Sequence, residues 1–144
     1  MQVSTKFTIA IHVLTATAYF SKDHKITSEM LAASVGCNPV IIRNIMGQLK
    51  KAGLIQVKRG PGGMALAKSL DDITFLDVYR AVETHGKDEL FRFHNNPNPD
   101  CPVGRNIHRA LDDDLLEIHC HFEEDLARHT LAEVYDNTEK AVAG

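Results

Sequence analysis

The stretch from Thr27 to Leu54, TSEMLAASVGCNPVIIRNIMGQLKKAGL, holds two capped helices separated by a turn of only a few residues, and its reading decides the fold. Thr27 and Ser28 offer hydroxyl caps to the first helix. Glu29 puts a negative charge in the first turn, and Met30, Leu31 and Val35 recur on one face. Gly36 stops that helix. Asn38-Pro39 opens the next, with asparagine as N-cap and proline at the first helical position, where its missing N–H costs nothing. Ile42, Ile45, Met46 and Leu49 turn inward at helical spacing, and Gly53 provides a left-handed stop. Two such helices across so short a turn are the pattern of a helix-turn-helix.

Working outward, Val3, Phe7, Ala10, Ile11, Leu14 and Ala18 recur at three- and four-residue steps and predict an amphipathic helix that ends in the polar stretch 21–25. Downstream, the segments Leu54 to Arg59 and Met64 to Ala67 flank Gly60-Pro61-Gly62-Gly63, which predicts a hairpin of wing size. Asp71 to Glu83 resumes a helical pattern, with Thr74 as cap and Asp77 three residues later. Asn95, Asn96, Pro97, Asn98, Pro99 and Pro102 then mark a connecting loop. From Val103 onward Ile107, Leu111, Leu115, Ile118, Phe122 and Leu126 form one apolar stripe at alternating three- and four-residue steps. The opposite side carries Asp112, Asp113, Glu117, Glu123 and Glu124, so the stripe is expected to be covered by a second copy of the chain. The predicted fold is mainly α with a small β-hairpin wing. It divides into a winged helix-turn-helix DNA-binding domain at 1–84, a loop at 85–102, and a dimerisation helix with a C-terminal segment at 103–144.

The 144 residues, 44% of them apolar, suffice for one folded unit with a protruding arm but not for two domains of usual size. The net charge of -3 conceals a segregation. Residues 1–68 hold nine Lys and Arg against two Asp and Glu, a balance of +7, and the remainder carries -10. A basic module joined to an acidic one suits a DNA reader with a separate assembly or sensing part, because only the surface facing phosphates must be positive. No signal-peptide pattern opens the chain and no apolar run approaches the roughly 18 residues of a membrane span, so a cytoplasmic location and no membrane partner are expected. Cys37, Cys101 and Cys120 are too scattered for a disulfide framework or a C-x-x-C metal motif, which fits a reducing compartment. Nothing reads as an enzyme: there is no nucleophile–base motif or zinc signature, and Gly63-Met64-Ala65 lacks the Lys and Ser/Thr of a phosphate-binding loop.

In a helix-turn-helix the second helix presents its N-terminal side chains to base edges in the major groove. Asn38, Pro39, Val40, Arg43 and Asn44 take those positions here. Asn38 or Asn44 suits adenine, Arg43 guanine, and Val40 a thymine methyl. Thr27 and Ser28 are placed to hold the DNA backbone, and Lys50 adds a cation further along the reading helix. Lys58 and Arg59 precede the side-chain-poor tip Gly60, Gly62 and Gly63, so the wing can bring two cations to phosphates or insert Arg59 into a narrow minor groove.

The order of Thr27-Ser28-Glu29, Asn38-Pro39, Leu49-Lys50-Lys51-Ala52-Gly53-Leu54-Ile55, Arg59-Gly60-Pro61-Gly62-Gly63, Ile73-Thr74 and Val78-Tyr79-Arg80-Ala81-Val82-Glu83 resembles the Rrf2 family of winged-helix regulators over nearly the whole chain. That family includes the iron–sulfur cluster regulator and the nitric-oxide sensor. The resemblance implies a homodimer whose long C-terminal helices cross, a palindromic operator in double-stranded DNA, and usually repression. Cluster-bearing members place three cysteines in the loop before the dimer helix, since a [2Fe–2S] centre needs converging thiolates. Here only Cys101 lies in that loop, and Gly104 stands where a histidine is expected three residues later. The chain is accordingly read as a cluster-lacking member with no cofactor and no metal site.

Cys101 is the sensor candidate, because Cys101-Pro102 repeats the cap-plus-proline pattern of Asn38-Pro39 and sets the thiol at a positive helix end, with Asp100 acting against a thiolate. His108, His119 and His121 read as solvated or interfacial, since His119 and His121 are two apart and point to different helix sides. Three alternatives to a DNA-binding regulator controlled by Cys101 stand beside it: control by an unidentified effector, an iron–sulfur or metal sensor, and a winged helix that binds protein rather than DNA.

Overall fold

A computed structural model describes residues 4–58, 63–83, 90–91 and 93–144. In chain order it contains α1 (Thr5–Phe20), α2 (Ser28–Val35), α3 (Pro39–Lys51), strands β1 (Ile55–Lys58) and β2 (Gly63–Leu66), a 3-10 turn (Leu70–Asp72), α4 (Phe75–Val82), α5 (Pro102–Ala127) and α6 (Leu131–Ala143). The fold is thus mainly helical with one antiparallel hairpin, paired from Ile55 with Leu66 to Lys58 with Gly63.

The helix ends follow the local chemistry of the sequence. Thr27 accepts the Met30 N–H on its hydroxyl, Gly36 closes α2 at φ 84°, and Asn38 accepts the Val40 N–H ahead of Pro39. Thr74 and Asp77 form a reciprocal capping box at α4. Each cap satisfies backbone groups a helix leaves open and contributes about 1 kcal/mol.

α1 differs from its predicted amphipathic character. Val13, Leu14, Thr15, Ala16 and Thr17 are buried in succession, because α2, α3, β2, α4 and α6 all pack against this helix. The two buried hydroxyls are satisfied within the helix, Thr15 donating to the Ile11 carbonyl at 2.8 Å and Thr17 to that of Val13 at 2.7 Å. Around α1 the core gathers Leu31, Ile42, Ile45, Leu49, Leu54, Ile73, Val78 and Val82.

The helical pattern read over 71–83 is interrupted, and the interruption has a partner. Ile73 and Thr74 run extended, with Thr74 in an antiparallel bridge to Thr130; the Leu131 N–H donates to the Ile73 carbonyl and the Phe75 N–H to that of His129. These backbone bonds seat the start of α6, whose Leu131 is wholly buried among core residues. The segment 103–144 is therefore two helices, the second returning to α1 and the 3-10 turn.

Leu131→Ala removes a fully buried side chain and is expected to cost about 2–5 kcal/mol of unfolding free energy. A urea midpoint equal to that of the parent protein would contradict this docking of α6.

Candidate nucleic-acid interface

Helix α3 is held by one face only. Ile42, Ile45 and Leu49 are buried beneath it, whereas Asn38, Val40, Ile41, Arg43, Asn44, Lys50 and Lys51 are exposed and Pro39 is half-buried. Val40 and Ile41 show 51% and 41% of their surface to solvent, so the outer face of the helix carries apolar as well as charged side chains. Asn38, Val40, Arg43 and Asn44 thus come together at the exposed N-terminal half of α3. Arg43 lies 3.9 Å from Glu29 on α2, and both side chains are exposed. Such a pair is worth at most about 1 kcal/mol, so Arg43 is readily released to a stronger partner. Thr27 is occupied as the α2 cap and Ser28 contacts Glu29; both are half-buried beside the α2 N-terminus.

Lys58 ends β1 in an exposed position opposite Gly63. Arg59, Gly60 and Gly62 lie outside the described residues. Gly63 has an intramolecular reason to be glycine. Its φ is +58°, and a Cβ would fall 2.7 Å from the Ile26 carbonyl oxygen. The Met64 N–H donates to that same oxygen at 3.2 Å, so the strand after the tip is pinned to the residue before the α2 cap. This seating ties the wing to the helix-turn-helix. Reasoning from sequence missed Ile26, although a lone isoleucine within a polar run was its signal. Ile41 and Lys51 were missed as well; their exposure follows from the angular position of the buried stripe.

No residue of α5 is buried. Of the stripe, Ile118 is 49% exposed, and Ile107, Leu111, Leu115, Phe122 and Leu126 are half-buried. The distal end is partly covered within the chain, where the Phe122 ring meets Tyr79 of α4 at 5.4 Å and, with Leu126 and Phe7, lines a groove of about 310 Å³. Val103 and Leu116, which the stripe did not include, expose 69% and 62%. Polar contacts join the same helix to the first module. Arg80 on α4 reaches Glu123 at 3.4 Å, Glu123 stands 3.7 Å from His119, and the Leu90 N–H donates to His119 Nδ1 at 3.3 Å. His119 is thus mostly buried beside Leu90 rather than solvated, whereas the His108 ring lies against Phe93, tilted by 38° at a centroid distance of 4.4 Å.

Cys101 caps α5, its Sγ accepting the Gly104 N–H at 3.5 Å, and Gly104 itself packs so closely under Asn98 that a Cβ would sit 2.8 Å from the Asn98 carbonyl oxygen. Cys37 lies between α2 and α3, and Cys120 lies roughly 28 Å along α5 from Cys101 at 1.5 Å per residue. Thiols so distributed cannot converge on one [2Fe–2S] centre within a chain, so these three cysteines do not fit a thiolate-held cluster. Among the described residues no three His, Cys, Asp or Glu side chains are gathered to hold a metal ion. Among the same residues no helix is long and apolar enough to cross a membrane.

Comparison with known proteins gives a consistent result. The family model "Rrf2: Iron-dependent Transcriptional regulator" matches residues 3–137. YwnA of Bacillus subtilis (strain 168), provisionally assigned as an HTH-type transcriptional regulator, is 39% identical over 135 residues, spanning 94% of this chain and 98% of YwnA. A crystal structure of a provisionally assigned DNA-binding protein is 36% identical with a TM-score of 0.71, covering 90% of this chain and 97% of that one. The structure of a provisionally assigned transcriptional regulator from Lactobacillus plantarum is 26% identical with a TM-score of 0.76, covering 94% and 90%.

Gly63→Ala is expected to lower unfolding free energy by about 1–3 kcal/mol, since the new methyl meets backbone rather than a yielding side chain at a left-handed φ. Thermal unfolding at an unchanged midpoint would show that the wing is not seated on Ile26.

Proposed function

The chain belongs to the Rrf2 family of transcriptional regulators, and from that premise we propose that it binds a specific palindromic DNA site as a homodimer and represses transcription by occupying it. The observation that carries this reading is the free face of α3. Val40, Arg43 and Asn44 stand exposed on a helix whose opposite side is locked into the core, beside a hairpin bearing Lys58. A thymine methyl, a guanine and an adenine are the base features those three side chains suit. Lys50 and Lys58 supply sequence-independent attraction to phosphate, with Thr27 and Ser28 on the backbone side. The family is one of regulators rather than enzymes.

Dimerisation is assigned to α5. Its 26 residues make a rod of about 39 Å with no fully buried side chain, and its stripe from Ile107 through Ile118 leaves apolar surface that a second copy would cover. Two reading helices related by a two-fold axis then address half-sites one helical turn apart. The dispersal of the cysteines favours operation without a bound cluster. We assign the signal to Cys101, a half-buried residue whose Sγ forms the cap of α5 and so sits at the joint between loop and dimer helix; peroxide would oxidise the thiol to a sulfenic acid with release of water, and the added oxygen would change the size and geometry of that cap.

The reading is tested by titrating promoter fragments in excess competitor DNA. Arg43→Ala is expected to lose about 1–3 kcal/mol of base discrimination, whereas Lys58→Ala weakens all duplexes alike and lowers the salt slope by about one. Unaltered footprints for both variants would reject the assignment, as would a parent protein with no operator preference. Ile118→Asp is expected to yield monomers in sedimentation, and a persisting dimer would remove α5 from the interface. Peroxide-treated and reduced protein should differ in operator affinity. Identical curves, or a difference that survives Cys101→Ser, would take Cys101 out of the mechanism.

A further inference from the structure

Gly47 lies in the middle of α3, and among the described residues nothing requires it to be glycine. Its backbone is helical, and a Cβ placed there would meet nothing within 4 Å. Among the described residues the other glycine within a helix, Gly104 in the first turn of α5, is different, with the Asn98 carbonyl oxygen 2.8 Å from its virtual Cβ. Glycine in a helix interior is destabilising relative to alanine because it gives up more conformational freedom on folding. At position 47 that cost is offset by no packing and no unusual dihedral.

The direction in which Gly47 faces supplies the reason. With 3.6 residues per turn, positions 40, 47 and 51 point almost opposite to Ile42, Ile45 and Leu49, the three buried residues of α3. Gly47 is therefore on the outermost line of the helix, bounded by Arg43 and Asn44 one turn before it and by Lys50 and Lys51 one turn after. All four of those flanking side chains are exposed, and three of them are cations. One bare backbone position flanked by three cations fits a surface that must come very close to a polyanion.

We propose that Gly47 is a positioning residue for base recognition: its missing side chain lets the axis of α3 sink far enough into the major groove for Arg43 and Asn44 to reach base edges. This rests on the reading of α3 as the DNA-reading helix. A methyl group there stands about 1.5 Å off the helix backbone and would hold the axis outward by a comparable distance. Hydrogen bonds to bases weaken steeply over such a displacement, whereas attraction between cations and phosphates hardly changes.

The test compares Gly47→Ala with the parent protein in three measurements. The thermal midpoint is expected to rise by a few degrees and the oligomeric state to stay the same. Affinity for the selected operator should fall about tenfold or more, while affinity for unrelated duplex stays within about twofold. Operator binding by Gly47→Ala within twofold of a parent that does discriminate would overturn the inference alone. A lowered midpoint or changed oligomeric state would also overturn it, assigning the glycine to folding or assembly. A parent protein with no operator preference would overturn both this inference and the reading beneath it.

Discussion

The burial of Ile42, Ile45 and Leu49 under α3 is the interaction on which the rest of the structure depends. Those side chains fix the rotation of the helix about its axis, and the rotation decides which residues are offered to the outside. The N-terminus of α3 is fixed independently by Asn38 and Pro39, and the turn from α2 by the left-handed Gly36. With rotation, start point and approach set, the exposed row at Val40, Arg43, Asn44 and Gly47 is a consequence of packing rather than a separate feature. Large-to-small changes in the buried stripe would therefore loosen recognition as well as stability.

The wing and the C-terminal helix extend the same rigid frame. The Ile26 carbonyl takes the Met64 N–H, and the extended Ile73-Thr74 pair receives the start of α6, so main-chain bonds tie the wing to the residue before the α2 cap and α6 to the segment before α4. Main-chain ties resist side-chain substitution and hold geometry closely. The long α5 is attached more lightly, through the Tyr79–Phe122 contact and the Arg80–Glu123–His119 chain of polar groups. A helix packed on its own module near one end, with much of its apolar stripe uncovered, has surface left to settle against another copy, as the proposed dimer requires.

How much of this was legible in the sequence follows from the range of the forces involved. Caps, the αL stop at Gly36 and the Asn38-Pro39 helix start are decided by neighbours within four residues, and each appears where the sequence placed it. The hairpin was equally local. The pairing of Ile73 and Thr74 with residues 130 and 131 was not legible, because nothing near Ile73 signals a partner almost sixty positions away. α1 was read as amphipathic from the three- and four-residue spacing of its apolar side chains, a pattern that does not register that Thr15 and Thr17 satisfy themselves on the preceding turn and can be buried. At the candidate site, the exposure of Arg43 and Asn44 was legible from helical phase. The constraint on Gly63 was not, since it comes from the Ile26 carbonyl approaching from another element. The stripe on α5 was visible, but periodicity alone cannot tell a neighbour in the same chain from one in a second copy, and Phe122 serves the former.

The central claim is that this surface reads duplex DNA by sequence, two copies at a time. Repeated selection of bound duplexes from a random library at physiological ionic strength tests it most directly. The account predicts enrichment of a two-fold symmetric sequence whose half-sites lie about one helical turn apart. A pool that remains random after selection, or one that enriches only isolated half-sites, would contradict it.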